Sequence, residues 1–419
     1  MDLLVIGGGG REHAVIKKLK QSPRAGTIYC APGNGGIAAD ATCVPLKATD
    51  VDGVLRFAQE HKIEFVVVTP DDPLALGMVD VLEAAGIKAF GPHQAAAAIE
   101  SSKVFSKNLM QKYNIPTADY AVFDTPAAAL SAITAKGSYP AVIKADGLAL
   151  GKGVVIAQDV DEARAALHSI MEDKIFGASG NRVVVEEFLT GPEVSVLAFT
   201  DGKTICPMVS SKDHKRALDG DRGPNTGGMG TISPNPYYTD AIAAQCMETI
   251  FQPTVRAMNA EGRPFKGCLY FGLMLTPDGP KVIEYNARFG DPETQVVLPR
   301  LQSDLLEIME AVADERLADM TICWDDRAAA CVVAASGGYP GKYGTGKAIT
   351  GIAAAETHPD VTVYHAGTRL ADGVLATAGG RVLGVTALGD TLSQALDAAY
   401  AALGDIHFDG MQYRTDIGR

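Results

Sequence analysis

The stretch Lys281-Val282-Ile283-Glu284-Tyr285-Asn286-Ala287-Arg288-Phe289-Gly290-Asp291-Pro292-Glu293-Thr294-Gln295-Val296 decides how this chain is read. Val282 and Ile283 predict a strand. Side chains alternate between the faces of a strand, so Glu284, Asn286 and Arg288 leave on the same side. A carboxylate and an amide oxygen then stand beside a fixed guanidinium. Two hard oxygen donors next to a cation suit a Mg2+ or Mn2+ ion that carries phosphate. The plain alternative is a solvated strand face with ordinary charges.

Just upstream, Cys268 to Thr276 and Lys281 to Asn286 read as two strands joined by a tight turn at Pro277-Asp278-Gly279, and residues 240–260 read as a helix. Residues 210–236 are polar and glycine-rich with little periodicity, and are expected to form a long loop. That loop holds Asp213-His214-Lys215-Arg216 and Asn225-Thr226-Gly227-Gly228-Met229-Gly230. Such a mixture could enclose a small zwitterion, with Asp213 for the ammonium and main-chain N–H groups or Arg288 for the carboxylate. The alternative is a surface loop. His214 stands alone and is not read as a base.

Working outward again, residues 120–190 form an α+β segment with strands at Ala141-Val142-Ile143-Lys144 and Val183-Val184-Val185-Glu186-Glu187. The turn at 147–153, with Gly151 and Gly153, can fold over a triphosphate and donate N–H groups while Lys103 and Lys144 neutralise charge. It is not a Walker A loop, which requires GxxxxGK[ST] and a following helix. A free main-chain edge after Val183 to Glu187 can pair with adenine, and a carboxylate such as Glu193 can accept ribose hydroxyls.

At the N-terminus, Leu3-Leu4-Val5-Ile6 runs into Gly7-Gly8-Gly9-Gly10 and a helical pattern begins near Arg11. Short apolar strands then alternate with amphipathic helices to about residue 100, which predicts a doubly wound parallel sheet. Gly7-x-Gly9-x-x-Glu12 lacks the third glycine of a dinucleotide fingerprint, and Tyr29-Cys30-Ala31 offers no acid for a ribose diol. A nicotinamide cofactor is therefore disfavoured, and a single phosphate of a sugar phosphate fits better. The alternative is a tight strand-to-helix turn and nothing more. A last unit, from about residue 325, alternates strands with a helix at 391–403.

Composition sets the class. The 419 residues are 47% apolar and 21% charged, which suits several globular domains. A net charge of -13 argues against a nucleic-acid-coating protein. The seven cysteines lack any CxxC spacing, so a reducing cytoplasm is the expected home. Met1-Asp2 leads straight into a short apolar run with no basic lead-in, and no segment approaches a membrane span.

Taken together these motifs resemble the ATP-grasp ligases, and within them the glycinamide ribonucleotide synthetase family. The resemblance covers essentially the whole chain. Gly9-Gly10-Arg11-Glu12-His13-Ala14, Pro32-Gly33-Asn34, Gly91-Pro92, Ser102-Lys103, the 144–153 loop, Asp213 to Arg216, Asn225 to Gly230 and Gly338-Tyr339-Pro340-Gly341 fall in that family's order. Arg288 to Val296 is the specific signature; the glycine loops are shared with other ATP-grasp enzymes. Two departures stand out. Gly272 occupies the place where many ATP-grasp enzymes carry an acidic metal ligand, and Thr69-Pro70-Asp71-Asp72 replaces a usual Gly-Pro-Glu.

The resemblance implies three domains: 1–100 for the sugar phosphate, 101–324 with the ATP-grasp fold and a mobile lid at about 120–190, and a small α/β domain at 325–419. It implies that ATP, glycine and 5-phosphoribosylamine give glycinamide ribonucleotide, ADP and phosphate through glycyl phosphate. Lys103, Lys144, Gly151, Gly153 and Lys107 are expected at the ATP phosphates. Glu186, Phe188 and Leu189 are expected at adenine, Glu193 at the ribose, and Glu284 and Asn286 on the metal. Arg288, with Lys144 and Asp213, is expected to do the catalytic work. Gly9, Gly10, Arg11, Glu12, His13 and Asn34 are expected at the sugar phosphate, and Asp213, Lys215, Asn225, Gly228, Arg288 and Gly290 around the remaining substrate atoms. Nucleic acid and membrane are not expected partners, and the chain is expected as a monomer or weak homodimer. The rivals are another ATP-grasp ligase or biotin-carboxylase-like enzyme, a nicotinamide-linked oxidoreductase, and a catalytically silent nucleotide-binding module.

Overall fold

The computed structural model describes residues 1–149 and 153–419, so Gly151 lies outside the described residues. The N-terminal strands Leu3–Gly7, Ile28–Pro32, Thr42–Cys43, Phe65–Val68 and Lys88–Phe90 form one parallel sheet. Leu3–Gly7 sits at its centre, between Ile28–Pro32 and Phe65–Val68. The alternation of a strand explains the packing. Leu3, Val5, Phe65 and Val67 enter one apolar core, while Leu4, Ile6, Val66 and Val68 enter another. Both faces are covered, as a doubly wound sheet requires. Strand order reverses beside Leu3–Gly7, so the crevice at the carboxyl ends of the strands opens next to Gly7 and Thr69.

Two sheets build the central region. Ile205–Pro207, Glu193–Asp201, Lys266–Thr276 and Gly279–Asn286 form an antiparallel sheet. Tyr120–Phe123, Val183–Glu187, Ala141–Ala145 and Val154–Ala157 form the second. The second sheet has its own small core, built from Ala129, Ile133, Ile143, Leu167, Ile170 and Val183 among others. The first instead shares cores with the N-terminal sheet.

The expected long loop at 210–236 is a correction. Lys212–Asp213 and Gly230–Ser233 are strands, and they extend the sheet formed by Ala328–Ser336, Arg381–Gly389 and Val361–His365. Between them, Arg216–Leu218 and Arg222–Asn225 pair as a hairpin. Strands of two to four residues are too short to show a period. The last sheet is thus completed by residues from the middle of the chain. Among the described residues no helix is long and apolar enough to cross a membrane.

Candidate active site

The strand Gly279–Asn286 positions the central group, and its register is irregular. Gly272 pairs with Glu284 and Leu273 with Val282, which leaves Ile283 as an extra residue in a bulge. Beyond it, Tyr285 and Ala287 are buried while Glu284, Asn286 and Arg288 are partly open on the other face. The predicted alternation therefore holds, and Arg288 Nη2 lies 3.4 Å from Asn286 Oδ1. Phe289 anchors the chain just past this point, packed against Phe90 and Phe199 with ring centroids 5.9 and 6.1 Å away. A Cβ on Gly272 would stand 3.1 Å from Glu284 Cγ, so the glycine leaves room for the neighbouring carboxylate.

Charge balance fixes the state of this group. Burial would raise Glu284, but Lys215, Lys144, Lys103 and Arg288 outweigh it and hold its carboxyl at about 2. Lys215 Nζ is 3.6 Å from Glu284 Oε1, and that carboxylate pushes the ammonium well above its ordinary value. Arg288 is held from behind. Glu100 Oε1 lies 3.3 Å from Arg288 Nη2, while Glu100 Oε2 accepts the Ala287 N–H at 2.7 Å. Arg288 Nε is buried and has no protein acceptor.

The lysines approach from the helix Lys103–Lys112 and from the strand Ala141–Ala145. Ser102 caps the helix Lys103–Lys112 by accepting the Phe105 N–H at 3.1 Å, and Lys103 Nζ donates to Gly147 O at 3.1 Å. Lys144 Nζ donates to the bulged Ile283 carbonyl at 3.0 Å. Lys144 and Lys107 also share one carboxylate, each standing 2.9 Å from an oxygen of Glu186. All three side chains are at most 5% exposed. Lys107 further donates to Thr117 Oγ1 at 2.8 Å, and burial lowers its ammonium to about 8 against the pull of Glu186. The side chain of Glu186 thus faces the lysines. Past the strand end, Phe188 is 41% exposed and Glu193 is exposed too. Gly153 is buried, its carbonyl accepting the Ala145 N–H at 2.9 Å.

A second cluster adjoins the first across a small cavity lined by Glu193, Ser195, Lys215, Tyr270 and Glu284. Asp213 Oδ1 accepts the His214 N–H at 2.7 Å, and burial together with the charge on Glu293 pushes its carboxyl well up. Tyr270 donates to Glu293 at 3.1 Å. Gly228 has φ +114°, and a Cβ there would meet Pro292 Cδ at 2.5 Å and Asp213 Oδ1 at 2.6 Å. Only glycine fits. At Gly290 a Cβ would come within 2.3 Å of Glu293 Oε2. Asn225 does not join this cluster; it is exposed on the hairpin, paired with Arg216.

The N-terminal glycine loop faces the signature stretch directly. A Cβ on Gly10 would lie 2.6 Å from Gln295 Nε2, and Arg11 Nη1 donates to Phe289 O at 3.2 Å. Several predicted side chains here are already engaged. Glu12 accepts the Gly9 N–H and the Arg11 Nε–H, both at 2.6 Å. His13 bonds Asp40 at 2.9 Å through Nε2 and accepts the His365 N–H at 2.8 Å. The Asn34 amide donates to Gly8 O and His365 O and accepts from Gly36 and Ile37. What the loop still offers is the set of N–H groups in the first turn of the helix Gly10–Leu19.

Glu100, Tyr270, Glu293 and Arg381 were not singled out from sequence. Arg381, from the last sheet, donates to Gly227 O at 2.6 Å and pairs with Asp291 Oδ2 at 2.9 Å. It ties the glycine-rich turn to the signature. Glu293 lay inside the quoted stretch and could have been flagged as its third carboxylate. Glu100 and Arg381 carry no local signal, since their partners are 187 and 90 residues away.

The match to known proteins follows this geometry from end to end. Residues 1–100 match the N domain of phosphoribosylglycinamide synthetase, residues 101–294 its ATP-grasp (A) domain and residues 329–419 its C domain. The chain is 48% identical over 417 residues to a phosphoribosylamine–glycine ligase of Caldanaerobacter subterraneus, covering 100% of this chain and 99% of that one. It is 49% identical over 422 residues to the protein of the same name in Salmonella typhimurium, covering 100% and 98%. A solved phosphoribosylamine–glycine ligase of Thermotoga maritima superposes with a TM-score of 0.87 at 33% identity, over 99% of this chain and 100% of that one. A biotin carboxylase of Campylobacter jejuni in complex with an ATP compound superposes at 0.75 over 98% and 92%, and at 14% identity this is likeness of fold alone. The chain belongs to the phosphoribosylglycinamide synthetase family.

Proposed function

We propose that this site joins glycine to 5-phosphoribosylamine in an ATP-dependent step of purine biosynthesis, by way of glycyl phosphate. The observation that carries the reading is the convergence of Glu284, Asn286, Arg288, Lys144 and Lys215 on one strand face. The chemistry explains why such a face is needed. A carboxylate is a poor electrophile, so one of its oxygens first attacks the γ-phosphorus of ATP and ADP departs. The amine nitrogen of phosphoribosylamine then attacks the acyl carbon, the nitrogen loses a proton, and phosphate leaves with the oxygen that came from glycine. No side-chain nucleophile is required; alignment and charge neutralisation are.

Each group then has a role. Lys103 and Lys144 face the ATP phosphates, the main chain at Phe188-Leu189 the adenine, and Glu193 the ribose. Lys107, held by Glu186 and Thr117, supports Lys144 from behind. Glu284 is ionised and sits two residues from the Asn286 amide, so the pair fits a hard divalent cation. No cluster of three carboxylate, histidine or cysteine ligands occurs among the described residues, which suits an ion that takes its other ligands from phosphates and water. Bound there, Mg2+ or Mn2+ supplies positive charge to the phosphate oxygens. Arg288, whose buried Nε lacks a protein acceptor, stabilises the transferring phosphoryl group. Asp213 receives the glycine ammonium. The sugar phosphate takes the N–H groups of the first helical turn at Gly10 and Arg11, since Glu12, His13 and Asn34 are engaged. The 120–190 subdomain, with its separate core, closes as a lid that keeps water from the acyl phosphate.

Glycine labelled with 18O in its carboxylate tests the intermediate. Transfer of one labelled oxygen into the released phosphate is the expected result. Unlabelled phosphate rules out glycyl phosphate.

A further inference from the structure

The hairpin that follows Lys215 has little packing of its own. Residues 221–225 and Leu218 are exposed, and only Ala217 of the residues 215–225 is buried. What holds the hairpin is a set of polar contacts, and these go to one short segment, residues 414–418. Arg414 is 2% exposed, and a charge so buried requires partners. Its Nε and Nη2 donate to the two oxygens of Asp416 at 2.7 and 2.8 Å. Its Nη1 donates to Asp221 Oδ1 at 2.8 Å and to the Arg216 carbonyl at 3.2 Å. The neighbours repeat the pattern. The Thr415 N–H donates to Asp219 Oδ1 at 2.8 Å, and Asp416 Oδ2 accepts the Gly220 N–H at 2.7 Å. The Gly418 N–H donates to His214 Nε2 at 3.0 Å, and the other ring nitrogen faces Gly230 O at 3.2 Å. His214 therefore sits as the neutral Nδ1–H form, a strut between this segment and the strand Gly230–Ser233.

We propose that residues 414–418 are a latch that sets the 213–225 segment, with Arg414 a positioning residue for Asp213 and Lys215. This rests on the reading of that segment as the glycine site. Arg414 touches no reacting atom. It fixes the main chain at Arg216, one residue past Lys215, whose ammonium must reach Glu284. A planar fork is needed, because the four contacts leave from three separate nitrogens, and an ammonium offers three donors from a single point.

The test uses the full chain with Arg414→Lys, Asp221→Asn and Thr415→Val, each measured for steady-state kinetics and for amide hydrogen exchange. In Arg414→Lys the KM for glycine is expected to rise about tenfold, with the KM for ATP within about twofold. Asp221→Asn and Thr415→Val are expected to move glycine KM in the same direction by about threefold. Exchange is expected to quicken at 214–225 and not in the 141–157 strands. Asp221 is 74% exposed, so its variant keeps the fold even if Arg414→Lys does not. An unchanged glycine KM in all folded variants, or exchange that quickens everywhere alike, overturns the latch. If the wild-type chain shows no glycine-dependent turnover, the glycine reading falls, while the exchange pattern still decides whether these residues hold the segment.

Discussion

Lys144 donates a 3.0 Å hydrogen bond to the carbonyl of Ile283, and Ile283 is the one residue that the bulge leaves out of the ladder pairing Lys266–Thr276 with Gly279–Asn286. Lys144 belongs to the second central sheet, whereas Ile283 immediately precedes Glu284. A regular ladder would spend that carbonyl on the neighbouring strand. The irregularity instead couples Lys144 to the strand whose face carries Glu284, Asn286 and Arg288.

The first prediction follows from the ionised state of Glu284. Glu284→Ala removes the charged one of two oxygen donors and is expected to lower ligation by on the order of 10²–10³-fold with the fold intact. Circular dichroism checks the fold and ADP release checks the rate. EDTA is expected to silence the wild-type chain, with Mg2+ or Mn2+ restoring it. Near-normal turnover in the variant removes Glu284 from the metal site.

Arg288→Lys keeps the charge and loses the planar fork. The rate is expected to fall by about 100-fold, because an ammonium cannot reproduce the planar two-pronged contact of a guanidinium held by Glu100. Single-turnover measurement of ADP formation separates this from a binding effect. An unchanged rate takes Arg288 out of the reaction.

Glu186 holds two buried ammoniums, so its loss is expected to cost more than the loss of either partner. Glu186→Gln is expected to lower the unfolding free energy by about 3–5 kcal/mol. Lys107→Met, which leaves the Lys144–Glu186 pair intact, is expected to cost less. Urea melts of the two variants give the order. A larger loss in Lys107→Met contradicts the shared-carboxylate arrangement.

Three buried histidines make stability depend on acid. Burial lowers His214 to about 4 and His365 to about 3, and lowers His13 as well. A histidine lowered in the folded state binds its proton more readily when unfolded, so stability is lost as pH falls from about 6.5 toward 4. For His214 alone the window corresponds to about 3 kcal/mol. Denaturant melts across that range are expected to show a slope that flattens in His214→Gln. The same slope in that variant contradicts the assignment.

The parts of the fold that were legible share a local cause. Leu3–Gly7, Phe65–Val68 and Ala141–Ala145 are apolar runs bounded by breakers, and the alternation through Glu284, Asn286 and Arg288 is a two-residue period. What was hidden has partners far along the chain. Nothing near Gly230–Ser233 announces that it pairs with Ala328–Ser336, nor near Glu100 that it accepts the Ala287 N–H. The bulge at Ile283 depends on the register of two strands and so has no one-strand signature. Glu12, His13 and Asn34 look like ligand groups in sequence because polar side chains cluster beside glycines, yet the structure engages them in holding the loop itself.

The central claim is that one site couples ATP to both other substrates. ADP release by the purified chain with Mg-ATP, given glycine and freshly generated 5-phosphoribosylamine separately and together, tests it most directly. Release that requires both is the predicted result. Release that ignores glycine and responds to bicarbonate or another acid contradicts the substrate assignment and leaves only the ATP-grasp fold.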